Sequence, residues 1–139
     1  MHLDPLWAAG PVIASHALLA IGAFGIGIAQ FALPKGTTRH RVMGWAWVLM
    51  MGAVAFGSFF ISEIGTFGYF SWIHLLSAYT LFALFGLVRA ARAHRIRSHR
   101  NDAMFLFLGA LVIAGAFTFM PFRVMNDVVT GSTHTMERR

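Results

Sequence analysis

The sequence predicts an all-α membrane protein, an up-down-up-down four-helix transmembrane bundle forming a single domain. Three observations carry that expectation. Of the 139 residues, 58% are hydrophobic and only 12% charged, where an ordinary soluble domain has about a quarter of its residues charged. The apolar residues gather into four runs, each near the ~20 residues a helix needs to cross ~30 Å of hydrocarbon. The runs are continuous and lack the alternation of a membrane barrel, so in lipid their backbone polar groups must be satisfied within helices.

The first run covers residues 11–33 and opens with Pro11. The second covers 42–64, the third 67–88 and the fourth 103–122, before a polar tail over 123–139. The links are short. Pro34–Arg39 joins the first two runs, Gly65-Thr66 the next two, and Ala90–Asp102 the last two. Short links make neighbours antiparallel. Glycines inside the spans, Gly22, Gly27 and Gly44 among them, suit close helix packing in membranes.

The formal net charge is +6, but the basic residues flank apolar runs and form no solvated face. The expected partner is therefore the lipid bilayer, with no nucleic acid. The composition also excludes disorder and a typical soluble enzyme. Lys35, Arg39 and Arg41 mark the first link, and Arg89, Arg92, Arg95, Arg97 and Arg100 the third. That bias places both links in the cytoplasm and both termini on the periplasmic side of a bacterial inner membrane. Residues 1–10 hold no Lys or Arg, so no cleavable signal peptide is expected and the first span serves as its own insertion signal.

The chain has no cysteine, which excludes disulfides, iron–sulfur clusters, thiolate zinc sites and thioether-linked haem. Attention therefore falls on the histidines. His16-Ala17-Leu18-Leu19-Ala20 and His74-Leu75-Leu76-Ser77-Ala78 share H-x-L-x-A, while His40-Arg41 matches His99-Arg100. The chain thus resembles two related helical hairpins, a weak internal repeat. In the expected topology His16 and His74 lie near the outer face, and His40 and His99 near the inner face. Each pair comes from diagonal helices roughly 11–14 Å apart, given neighbouring axes about 8–10 Å apart.

That gap suits a flat cofactor held by two axial imidazoles, one or two b-type haems. The more deeply placed His16 and His74 are the stronger candidates. His40 and His99 sit in basic rims, and His94 rivals His99. His2 and His134 lie in the tails and stand outside the set. Arg41, Arg100 and Arg123 are candidate propionate partners. Gly44, one turn beyond His40, is a candidate point of close approach for a ring edge. For each histidine taken singly, an interfacial polar residue is the commoner role. Gln30 falls near the His16 face of its helix and is placed to bond a neighbour. Trp7, Trp45, Trp47, Tyr69 and Trp72 read as interfacial anchors and packing, and Glu63 and Asp102 as solvated ends.

The stretch from His16 through Gln30 to His40-Arg41-Val42-Met43-Gly44-Trp45-Ala46-Trp47, extending to Arg123, resembles an uncharacterised family of small bacterial integral-membrane proteins carrying an H-R-x-x-G element. That resemblance implies no activity. The histidine layout is also similar to that of transmembrane b-type dihaem cytochromes, which implies axial pairs His16–His74 and His40–His99. The expected function is a membrane-embedded b-type cytochrome relaying electrons, with a quinol or small oxidant as partner. The alternatives are a non-catalytic accessory subunit of a larger respiratory complex, and a small transporter assembled as a homo-oligomer.

Overall fold

The computed structural model describes residues 10–60 and 72–118, and within them the chain forms four helices and no strand. Helix α1 spans Pro11–Ala32. Pro11 occupies its first turn, where a missing N–H costs nothing and the fixed φ already suits a helix. Helix α2 spans Thr38–Gly57 and ends in a 3-10 turn, Ser58–Phe60. It starts four residues ahead of the second apolar run. The reason is a cap: the Thr37 side chain accepts from the His40 backbone N–H at 3.2 Å, and this satisfies one of the free donors of a helix start. His40 and Arg41 therefore belong to the first turn of α2.

Helix α3 spans Trp72–Arg92. Arg89 and Arg92 lie in its last turn, where cations meet the negative end of the helix dipole. The chain then reverses at Ala93-His94-Arg95. Arg95 N–H donates to Ala90 O at 2.9 Å, and His94 N–H to Ala91 O at 3.2 Å. His94 has a φ of 53°. These are the paired bonds and left-handed residue of a Schellman cap, with histidine in the place glycine usually takes.

The fourth helix begins at Ile96, seven residues ahead of the apolar run expected for it. It comprises α4 (Ile96–Phe105), a π-helical stretch (Leu106–Ile113) and α5 (Ala114–Thr118). The long third link expected from the sequence thus shrinks to a tight turn, and His99 and Arg100 become helical. Residues 61–64 and 67–71 of the expected second and third spans lie outside the described residues. So do residues 119–122 of the expected fourth span, the polar tail 123–139, and His2, Trp7, Glu63, Tyr69, Arg123 and His134.

Among the described residues three helical segments are long and apolar enough to cross a membrane: Pro11–Ala32, Thr38–Phe60 and His74–Arg92. The fourth helix starts on the polar run Arg97–Asp102 and is not among these. Helix α1 packs on α2, α2 on α3 and α3 on α4, and the π-helical stretch packs on both α1 and α3. Ala23, Trp47, Met51, Leu84, Leu87, Leu106 and Leu111 form the core. Outside it, large apolar side chains point away from the bundle, Phe82 with 76% of its surface exposed. In water each such side chain would forgo about 1.5–3 kcal/mol of burial, and a bilayer removes that cost.

Helix α1 buries a stripe of small residues, Ala14, Ala17, Ala23 and Gly27, which lets neighbouring helices approach closely. The clearest case is Gly27. A Cβ there would stand 2.5 Å from the Phe107 ring and 3.1 Å from Trp47 Nε1. Phe107, on the π-helical stretch, stacks on Phe24 at 5.6 Å and meets Phe31 edge-on at 5.3 Å. The fourth helix is thereby locked to α1.

Candidate functional site

At one end of the bundle the first turns of α2 and α4 bring His40 and His99 together. Their ring centroids are 6.4 Å apart and their planes nearly perpendicular, at 82°. Both side chains are half-buried. His99 Nδ1 lies 3.2 Å from the Leu87 carbonyl of α3. A carbonyl only accepts, so Nδ1 carries the proton and Nε2 keeps its lone pair. This is how metal-ligating histidines are usually oriented, through the nitrogen that does not bind the metal. His40 Nδ1 is buried without a hydrogen-bond partner.

The backbone around His40 is held from α1. Gln30 Nε2 donates to the His40 carbonyl at 2.9 Å, which realises the interhelical bond expected of Gln30. Its own Oε1 is buried without a partner. Gly44 makes room for this amide: a Cβ there would stand 3.0 Å from Gln30 Nε2. The space expected to admit a cofactor edge at Gly44 is thus taken by the Gln30 side chain, which also fixes the turn that carries His40.

Cations surround this end. Arg41 and Arg100 are exposed, each one residue after a histidine of the pair. The Arg92 guanidinium lies 5.9 Å from the centre of the Trp45 ring, a cation–π contact tying α3 to α2. His94 stays at the chain reversal, exposed, so the histidine that meets His40 is His99.

The other two histidines meet the far end of α2. His16 Nδ1 is buried without a hydrogen-bond partner, and a Cβ added at Gly57 would stand 3.6 Å from it. The His16 ring lies beside the Val54 backbone carbonyl, which accepts from Ser58 Oγ at 2.9 Å. His74 is 5% exposed, with its ring 5.7 Å from that of Phe59. Below it Ser77 and Thr80 continue a buried polar stripe along α3.

Of the two roles expected of the tryptophans, interfacial anchor and packing, Trp47 takes the second. It is 6% exposed, part of the core, and its Nε1 has no hydrogen-bond partner. Its spacing held the signal. Trp47 lies seven residues, about two helical turns, beyond His40 and so faces the same way, as does Met51 one turn further. Trp45, two residues away, points outward.

Among the described residues no three or more His, Asp or Glu side chains come together as a metal cluster. No protein-family model matches the chain, and neither a curated protein nor a solved structure is similar to it.

Proposed function

We propose that this chain is a membrane-embedded b-type haem protein that relays electrons, with His40 and His99 as the two axial imidazoles. The observation that carries the reading is the perpendicular ring pair at 6.4 Å. Two imidazoles on opposite sides of one metal, each bonded at about 2 Å, place their ring centroids about 6 Å apart. The donor set fits a haem better than a bare ion, because the porphyrin supplies the four remaining nitrogens and no third protein ligand is needed. His99 already has its lone pair on Nε2, held so by Leu87, and His40 stands against it with its ring half-buried. Haem bound there supplies reversible one-electron chemistry at iron. Arg41 and Arg100 place cations beside the pair for the propionates.

The bundle is read as up-down-up-down, with the fourth helix also crossing and the two hairpins forming a weak repeat. Gln30, near the end of α1, bonding the start of α2 supports that path, as does Leu87, near the end of α3, facing the start of α4. Eight basic residues fall at the His40–His99 end or in the links beside it. That bias supports a reading with this end at the cytoplasmic side of a bacterial inner membrane and the termini opposite.

The test is optical. Protein purified from haem-replete cells should show b-type Soret and alpha bands on reduction. His40→Ala and His99→Ala should each lose them, and His94→Ala should keep them. A colourless wild-type protein would reject the reading and favour an accessory subunit.

A further inference from the structure

We infer that the seam between α2 and α3, at the His40–His99 end, holds the headgroup of an anionic phospholipid, with Arg92 donating to its phosphate over the Trp45 ring. Such a site needs no haem. It requires only that α2 and α3 stand in a bilayer, and both are long and apolar enough to cross one.

The Arg92 guanidinium lies over the Trp45 ring, 5.9 Å from its centre. A guanidinium set over an aromatic ring engages it with its flat face, and the N–H groups along its edge stay available. Among the described residues they meet no carboxylate. Asp102 is the one acidic side chain there, and it belongs to α4, where Ser98 Oγ donates to it at 3.5 Å. Arg92 and Trp45 are both exposed, so the pair faces whatever surrounds the bundle. The edge of a guanidinium matches two oxygens of a phosphate, and the ring beneath orients it in advance. Trp45 also fixes the depth, since an indole favours the membrane interface at headgroup level.

The neighbours select a lipid among phosphate-bearing ligands. Past this pair the same faces of the two helices run on as apolar stripes. Leu49 follows Trp45 by about one turn of α2, and Phe85 and Phe82 precede Arg92 by about two and three turns of α3; all three are exposed. Acyl chains laid along these stripes cover apolar surface that the bundle leaves bare, which a free phosphate cannot do. Arg89, about one turn before Arg92, is exposed as well and brings a second cation to the seam. A zwitterionic headgroup would set its own ammonium against these arginines, whereas a headgroup with net negative charge meets them with none. Basic surfaces between membrane helices select acidic headgroups on this principle.

The experiment adds phosphatidylglycerol, phosphatidylcholine or inorganic phosphate to the purified full chain in detergent and reads bound lipid by native mass spectrometry. Phosphatidylglycerol should bind at least about tenfold more tightly than phosphatidylcholine. Arg92→Gln should weaken phosphatidylglycerol binding at least about fivefold, and Trp45→Leu at least about threefold. Arg97→Gln removes the same charge from an exposed position on α4 and should change binding less than about twofold. All three side chains lie outside the core, so the variants keep the fold. Equal losses in Arg92→Gln and Arg97→Gln would overturn the inference by showing a diffuse attraction of charge. Wild-type affinity in Arg92→Gln would overturn it too, as would equal affinity for the two lipids. Displacement of phosphatidylglycerol by millimolar inorganic phosphate would assign the arginine to a free anion and overturn it likewise.

Discussion

Gly44→Ala tests how the turn carrying His40 is held. The added methyl would stand 3.0 Å from Gln30 Nε2, a few tenths of an ångström inside ordinary contact. The amide must retreat, and its 2.9 Å bond to the His40 carbonyl stretches toward the limit of a useful hydrogen bond. Interhelical hydrogen bonds in bilayers contribute about 0.6 kcal/mol on average and up to about 1.7. Alanine also raises helix propensity by about 1 kcal/mol over glycine, so the sign of the single substitution is not diagnostic. That propensity gain is common to both backgrounds of a double-mutant cycle and cancels. Gly44→Ala should therefore be more favourable in a Gln30→Ala background than in the wild type, by about 0.5–1.5 kcal/mol. The assay is unfolding of the detergent-solubilised protein by titration with a denaturing detergent, followed by circular dichroism. A coupling below about 0.3 kcal/mol would refute the placement of the Gln30 amide over Gly44.

Three further outcomes follow from the same geometry. His94→Gly should stabilise the protein by about 0.5–1 kcal/mol in the same unfolding assay, because the 53° φ of that cap strains a residue bearing a Cβ. Gly27→Leu should destabilise it by about 1–3 kcal/mol through overpacking against Phe107 and Trp47. Gly25→Ala, with nothing within 4 Å of its Cβ position, serves as the control and should gain up to about 1 kcal/mol from helix propensity. With the His40 and His99 planes at 82°, the oxidised haem should give a highly anisotropic low-spin signal by electron paramagnetic resonance. A rhombic signal of the parallel-imidazole kind would contradict that ring arrangement.

Hydropathy located the middle of each helix and misplaced several ends. The first helix was legible almost to the residue because Pro11 marks its start. The starts of α2 and α4 were missed because hydropathy reports preference for lipid, whereas a helix continues through polar residues wherever its backbone is capped. Thr37 does this for α2, and the His94 reversal leaves α4 free to begin at Ile96. The His40–His99 pairing was visible in the repeated His-Arg dipeptide. Its use of a Leu87 carbonyl and a Gln30 amide was not, since both depend on how separate helices stack. The priority given to His16 and His74 rested on depth in the apolar runs. Depth does not say which way a ring turns, and both rings meet the end of α2. Nothing in the hydropathy marks the π-helical stretch, whose Phe107 packs between Phe24 and Phe31 of α1.

The most direct test of the central claim is the haem content of the purified wild-type chain, read from a reduced-minus-oxidised spectrum and a haem assay on the same sample. One b-type haem per chain, absent from His99→Ala, is the predicted result. A sample with no haem, or one whose haem survives in His99→Ala, would contradict the account.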